Sequence, residues 1–225
     1  CDVDGDGDLD IIVAVFGWLN TGEIFWLENR SQGSKRPVFV RHEIDERHGA
    51  IHIPLADLNG DGREDFVALF SQEYESLVAF MWGPEGFTAK TLYEAPHPNW
   101  GSSSLELVDM DGDGDLDALV ANGDTLDDFV LKPYHGVQWL ENDGEGLWKS
   151  HPLAQMYGVH RALARDMDGD GDKDVVACSF LPHFGPDELE SLQAASLMWI
   201  EQVSPGVFVE RVIERLHCFH ATLDV

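Results

Sequence analysis

Short apolar runs, separated by polar segments rich in glycine, asparagine and aspartate, recur along the chain and predict β-strands. Four runs are rich in β-branched residues, which is typical of buried strands: IIVAVF (11–16), FVALF (66–70), ALVA (118–121) and VVACSF (175–180). An acidic loop precedes each of them. Before three of the loops, and again near the C-terminal end, lies another apolar run, as in AIHIPLAD, SSLELVD, HRALARD and FHATLD. The pattern therefore predicts pairs of strands joined by an acidic loop.

Two further elements follow each buried strand. The third element centres on an aromatic residue, and the positions predicted to be in register are Trp26, Phe80, Trp139 and Trp199. The fourth begins with an aromatic residue and carries a basic residue three positions later: His42, Lys90, His151 and Arg211. Turn residues such as NDGEG or SPG separate the two elements, which indicates a hairpin. We therefore predict a unit of four antiparallel strands.

This unit repeats, because the acidic loops start at Asp2, Asp57, Asp109 and Asp166, at intervals of 52 to 57 residues. A regular period of this size indicates a repeat architecture. We predict a single domain over 1–225 with approximate repeats at 2–56, 57–108, 109–165 and 166–223. Four-stranded units repeated radially are typical of a β-propeller, so the expected fold class is all-β, a propeller of four-stranded antiparallel blades.

The two ends of the chain bear on the number of blades. The chain begins at an acidic loop, and 218–225 has the pattern of the first strand of a further unit, with Asp224 where its loop would start. This strand could close a four-blade ring by completing the N-terminal blade. We favour the other interpretation, a fragment of a larger propeller within a larger polypeptide.

The acidic loops share the pattern D-x-[DN]-x-D-G-x-x-D, which predicts calcium sites. Calcium takes about six to eight oxygen ligands, and a glycine allows the sharp turn that lets alternate side chains converge. Clustered carboxylates without a cation would repel one another. We expect up to four Ca²⁺ ions, bound by positions 1, 3, 5 and 9 and by the backbone carbonyl of position 7. The predicted ligands are Asp2, Asp4, Asp6, Asp8, Asp10, Asp57, Asn59, Asp61, Arg63, Asp65, Asp109, Asp111, Asp113, Asp115, Asp117, Asp166, Asp168, Asp170, Asp172 and Asp174.

Two other interpretations of these loops are possible. An EF-hand needs a bidentate glutamate at position 12 of its loop. The residues at that position are Val13, Ala68, Val120 and Ala177, which excludes an EF-hand in all four copies. The loops could also be ordinary solvated turns, but four copies in phase argue against a chance match to the motif.

Charge and composition narrow the class of partner. The net charge is −28, and the chain lacks the basic patches on which nucleic-acid binding depends, so we expect no nucleic-acid partner. The longest apolar run, 11–19, is too short to span a bilayer. Three cysteines, Cys1, Cys178 and Cys218, cannot form a closed disulfide framework, and Cys178 lies in a predicted buried strand. Weak calcium sites fill where free calcium is about millimolar, which indicates an extracellular, secreted or cell-surface protein.

The acidic loops followed by a Trp-Leu-Glu-Asn strand resemble the FG-GAP or VCBS-like repeat over essentially the whole chain. The resemblance implies a calcium-binding propeller like that of integrin α-subunits, in which calcium is structural. Two features depart from it: Asn59 stands at position 3 of the second loop, and no copy contains the literal Phe-Gly and Gly-Ala-Pro sequences.

The predicted ligand surface lies at the end of the blades away from the acidic loops. The connections between the second and third strands are longest in the last two copies, at 122–136 and 181–196. Elaborated loops on a rigid scaffold often carry binding residues. The candidate ligand-binding residues at the entries to the first strands are His52, Trp100, Tyr157, His160, Arg161, His217 and His220. Trp18, Trp100, Tyr134 and Phe184 could stack on sugar rings, but we favour packing between blades as their role.

Two functional hypotheses follow. The first, which we favour, is a calcium-rigidified module for protein or carbohydrate binding or adhesion, without catalytic residues. The second is the propeller domain of a sugar-active lyase or dehydratase, with a histidine site, and perhaps a second metal, at the end opposite the calcium loops. Histidine is common in loops and no H-x-H or H-E-x-x-H spacing occurs, which weakens the second hypothesis.

Overall fold

A computed structural model describes residues 1–17, 21–144 and 146–225. The described residues form two compact units, 1–98 and 99–225, each built from antiparallel sheets. The all-β fold class is therefore confirmed, whereas the single domain over 1–225 stays a prediction. No helix in the described residues is both long and apolar enough to cross a membrane.

The first unit contains two sheets. In the first sheet β1 (Ile11–Val15), β2 (Glu23–Asn29) and β3 (Phe39–Asp45) lie in the order β1-β2-β3. The strands of the second sheet are β4 (Ala50–His52), β5 (Leu55–Ala56), β6 (Asp65–Phe70), β7 (Ser76–Gly83) and β8 (Gly86–Glu94). Their order is β4-β6-β7-β8, and β5 also pairs with β6. The predicted first strand of this copy is thus interrupted at Pro54, which has no backbone N–H to donate.

The second unit also contains two sheets, each of four strands. The first has the order β12-β11-β10-β9, with β9 (Ser102–Val108), β10 (Asp117–Asn122), β11 (Gly136–Asn142) and β12 (Trp148–Gln155). The other has the order β13-β14-β15-β16, with β13 (Val159–Arg165), β14 (Asp174–Ser179), β15 (Ala195–Ser204) and β16 (Val207–Arg215). In the last three copies the acidic loop joins the first strand to the second, as predicted.

The core of each unit forms around the strands that follow the acidic loops. Every residue of β6, β10 and β14 is buried, as their continuous apolar sequences predict. β1, which has a paired strand on one side only, is partly exposed along its whole length. In the second unit the two sheets are also linked by polar bonds, because Ser103 Oγ donates to the Val159 carbonyl and Ser104 Oγ accepts the Ala162 N–H.

The register of the second copy differs from the prediction. Trp26, Trp139 and Trp199 lie opposite the residue two positions after the last aspartate of their loops, but in the second copy Ala79 has this place. Phe80 is one residue out of register and stacks on Phe66 inside the core, with ring centroids 4.7 Å apart. The alignment on Phe80 was therefore wrong, because the aromatic side chain serves the core of this sheet.

The C-terminal segment is not a strand. Of 218–225, only Phe219 pairs, in an isolated antiparallel bridge with Phe180. The segment is anchored instead by Cys218, which is fully buried beside Leu181 and Leu189. Cys178 is also buried, as predicted, and all three cysteines are free thiols.

The two long insertions lie in the second unit and contact each other. The second, which was predicted to be a loop, contains a short helix, α1 (Pro186–Leu192). Phe129 of the first insertion meets His183 of the second edge-to-face, at 4.3 Å between ring centroids. Leu131 packs on the cluster of Leu181 and Leu189. The two insertions therefore form one surface.

Candidate functional site

The acidic loops are tight turns held by their own aspartates. In the third loop, Asp109 accepts the N–H groups of Gly112 at 2.7 Å and Gly114 at 3.1 Å, one on each carboxylate oxygen. Both glycines have positive φ, 80° and 99°, a conformation that other residues rarely adopt. The same pair of bonds recurs in the other three loops. The spacing of aspartate and glycine that the four copies share thus gives four loops of one shape.

Three of the loops bring carboxylates together closely enough to hold a cation. Within each cluster, one oxygen from each of three aspartates lies within 4.8 Å of the others. The clusters are Asp2, Asp4 and Asp6; Asp109, Asp111 and Asp117; and Asp166, Asp168 and Asp170. Carboxylate oxygens are the ligands that calcium prefers, so the donor set fits a calcium ion. All nine residues belong to the predicted ligand set.

Desolvation and neighbouring negative charges act on these carboxylates. Desolvation by burial and the neighbouring charges of Asp113, Asp109 and Glu141 raise the pKa of Asp111 above its ordinary value, although a backbone hydrogen bond opposes them. Burial raises the pKa of Asp4, and the negative charges of Asp6, Asp10 and Glu28 raise it further. A hydrogen bond from the Asp6 backbone opposes this rise. A bound cation would favour the ionised form of both groups.

The ninth aspartate of each loop has a structural contact that the sequence analysis missed. In the third loop, Asp117 is fully buried, accepts the Met110 N–H at 3.0 Å and accepts the Asn142 N–H at 2.8 Å. Asp10, Asp65 and Asp174 make the equivalent pairs of bonds in the other copies. The residue predicted only as a ligand therefore ties the start of its loop to the third strand of its sheet.

The third strand supports the loop through its Trp-Leu-Glu-Asn sequence. The Asn142 side chain donates to the Leu116 carbonyl, at position 8 of the loop, and Asn29 and Gln202 make the equivalent bonds. Glu141 accepts from His151 at 2.6 Å, and this imidazole stacks on Trp139 at 4.7 Å. The basic residue recognised in the sequence is thus a partner of the strand's Glu and Trp.

The same arrangement recurs in the first and fourth copies. His42 stacks on Trp26 and bonds to Glu28, whereas Arg211 lies over Trp199 and pairs with Glu201. The second copy has Ala79, Met81 and Trp82 at the Trp, Glu and Asn positions, so it lacks these contacts.

Of the predicted ligand-binding residues, Trp100 lines a pocket. Its indole stacks on Tyr134 at 4.8 Å, and both rings border a pocket of about 240 Å³ in the second unit. The pocket lies between the start of β9 and the end of the first insertion. Its lining residues include Gln138, Pro152 and the buried His135, and none of the lining residues carries a carboxylate, an ammonium or a guanidinium group. In a chain of net charge −28 this is an uncharged site.

His217 and His220 share one carboxylate. Glu214 lies 2.6 Å from Nε2 of His220 and 3.1 Å from Nδ1 of His217, and Ser196 Oγ donates to it at 2.8 Å. These hydrogen bonds, with that of His220 the largest influence, lower the pKa of Glu214 to about 2. Glu214 could not be predicted from the sequence, because its strand position carries no motif.

Of the remaining candidates, Tyr157, His160 and Arg161 lie around the end of β14, where the Cys178 thiol also bonds to the His220 carbonyl. His52 ends β4 in the first unit. His160 is next to Phe180, with ring centroids 5.6 Å apart, and burial lowers its pKa. Tyr157 packs on the cluster around Cys218, while Arg161 belongs to β13. Phe184 also packs on that cluster, and Trp18 lies outside the described residues. Among the described residues, no donor cluster that could hold a metal contains a histidine, so the second, catalytic hypothesis stays without a supporting site.

Comparison with known proteins identifies a repeat family. The family model described as an FG-GAP-like repeat matches residues 2–68, 57–120 and 121–177. These three matches together include all four acidic loops. No curated protein matches the chain.

Proposed function

Because the chain belongs to the FG-GAP-like repeat family, we propose that it is a calcium-stabilised β-propeller module that binds a protein or glycan outside the cell. Repeats of this family commonly mediate ligand binding or adhesion. The four sheets are then the blades of the propeller, and the chain forms one domain. The observation that carries the proposal is the gathering of three carboxylates in each of three loops that share one backbone shape.

In this function calcium acts on stability. The ions would be held by the aspartates of each loop, with Asn59 in the second, and by the carbonyl at position 7. A bound cation offsets the repulsion among carboxylates and stabilises the folded state by mass action. No residue is assigned to a chemical step.

The test is to count the metal and then remove it. Elemental analysis after dialysis against calcium buffer is expected to give up to four calcium ions per chain and no transition metal. A chelator is then expected to lower the melting temperature sharply. If the protein binds no calcium and its melting temperature is unchanged by chelation, the proposal is wrong. About one zinc, iron or manganese ion per chain would favour the histidine site instead.

The ligand surface is proposed to be the end of the second unit that carries the two insertions and the pocket beside Trp100. The pocket offers aromatic faces and uncharged hydrogen-bonding groups, which suit a neutral ligand such as a sugar residue. Once a ligand has been found by screening glycans and proteins, Trp100→Ala is expected to weaken its binding. Leu147→Ala, at an exposed hairpin next to the third acidic loop, is the control and should bind as the unaltered protein does. Equal binding by both variants would place the ligand elsewhere.

A further inference from the structure

The second acidic loop, 57–65, differs from the others in charge. Asn59 replaces the aspartate at position 3, which removes one negative charge from the ligand set. Position 7, which is aspartate in the other copies, is Arg63, so a guanidinium is attached to the residue whose carbonyl would bind the ion. The number of charged ligands is one of the factors that set the affinity of a calcium site. Both substitutions therefore weaken the attraction of this loop for a cation.

The strand behind this loop differs as well. Met81 occupies the position of Glu28 and Glu141, the glutamates whose charges act on Asp4 and Asp111 in their own copies. Trp82 occupies the position of Asn29, Asn142 and Gln202. An indole has no carboxamide with which to bond the carbonyl at position 8, so the loop loses that support. The contact that remains between this loop and the third strand is made by Asp65, which accepts the N–H groups of Leu58 and Trp82.

Trp82 is an aromatic residue of the third strand whose backbone contacts the loop. Its backbone N–H lies 2.8 Å from Asp65 Oδ1, and its half-buried ring packs against Phe87 at 4.9 Å and Trp26 at 5.7 Å. A change in the position of Asp65 is therefore transmitted to an indole, whose fluorescence depends on its surroundings. The other three loops have an amide residue at this position.

We infer that the loop at 57–65 is the weakest of the four calcium sites, fills last, and reports its occupancy through Trp82. This inference rests on the proposed calcium function. The other three sites would hold calcium permanently and support the fold. The second would respond to changes in calcium concentration at levels where the first three stay full.

Calorimetric titration of the full chain with calcium tests the inference. Three ions are expected to bind in one step and a fourth at least about tenfold more weakly, with a change in tryptophan fluorescence during the weak step. Asn59→Asp should move the weak step toward the strong one. Asp57→Asn should abolish the weak step and leave three ions bound. The matched control is Asp111→Asn in the third loop, which should weaken a strong site and leave the weak step in place.

The outcomes separate the inference from the function on which it rests. If no calcium binds, the proposed calcium function fails. If four ions bind with one affinity, or if Asp57→Asn removes a strong site and Asn59→Asp leaves the weak step unchanged, calcium binding stands and this inference is overturned. A weak step without any change in tryptophan fluorescence would overturn the reporting role of Trp82.

Discussion

The ninth aspartate of each acidic loop has two roles that the sequence pattern does not separate. Its carboxylate could contribute to a cation site, and Asp117 belongs to the donor cluster of the third loop. Both of its oxygens also accept backbone N–H groups from two different segments. Burial raises the pKa of Asp117 while these bonds oppose the rise, so the carboxylate is held by backbone donors in a desolvated position. Replacing it should therefore affect the fold even without metal.

Asp117→Asn tests this structural role. The carboxamide can accept the N–H of only one partner, so a buried N–H of Met110 or Asn142 would lose its acceptor, at a cost of about 1–3 kcal/mol. We expect the free energy of unfolding, measured by urea denaturation in a chelator, to fall by that amount. Asp113→Asn is the control, because Asp113 is exposed and Asn can still accept the Asp115 N–H. Equal losses in the two variants would contradict the role given to Asp117.

His135 gives the second unit a defined dependence on pH. Its side chain is fully buried, neither ring nitrogen has a hydrogen-bond partner among the described residues, and burial lowers its pKa from 6.5 to about 4. Below pH 6.5 the unfolded state therefore binds a proton that the folded state does not. The resulting stability is present above pH 6.5 and is lost as the pH falls toward 4, by up to about 3 kcal/mol.

His135→Leu should remove this part of the pH dependence. We expect the free energy of unfolding of the unaltered protein to decrease more steeply between pH 6.5 and 4 than that of the variant. Protonation of carboxylates changes the stability of both proteins over the same range, so the difference between the two slopes is the quantity to measure. Parallel slopes would show that His135 does not titrate on unfolding.

Among the strands, those in which every residue is buried were predicted best from the sequence. The continuous apolar runs predicted β6, β10 and β14 because all their residues are buried. The register of β7 was mispredicted because Phe80 resembles the aligned tryptophans in chemistry but packs in the core. An aromatic residue indicates a strand, but it does not determine which residue of that strand is equivalent to the tryptophan of another copy. Only the pairing with β6 determines that Ala79 has the tryptophan position.

The candidate metal loops could be predicted from the sequence because each site is made by one continuous segment. The supporting contacts of Asn142 and Glu141 could not, since they depend on pairing between strands that are distant in sequence. The histidines at the entries to the first strands were predicted to lie close together only because they occupy equivalent positions in the repeats. Equivalent positions in repeats share an environment without necessarily being in contact, and His217 and His220 share Glu214 as a partner.

For the whole molecule, repulsion among negative charges is an unfavourable contribution to stability in the absence of calcium. The net charge is −28, and much of it is concentrated in the acidic loops. Like charges destabilise a compact state, and salt screens their repulsion. The stability of the calcium-free protein should therefore depend on ionic strength more than that of the calcium-bound protein.

Thermal melts at increasing sodium chloride concentration test this dependence. From about 10 mM to about 1 M salt, the screening length falls from about 30 Å to about 3 Å. We expect the melting temperature in chelator to rise over this range and to change much less in calcium. A melting temperature that falls with salt in chelator would show that favourable ion pairs, such as Arg165 with Glu106, outweigh the repulsion.

The contact between Phe129 and His183 limits how the two insertions can be exchanged, in engineered proteins and in evolution. The two insertions belong to different sheets, yet Leu131 of the first packs on Leu181 and Leu189 of the second. Exchanging one insertion alone would leave the other without its packing partner. Transferring the proposed ligand surface to another scaffold would therefore require both segments as a matched pair, and natural variants should change the two together.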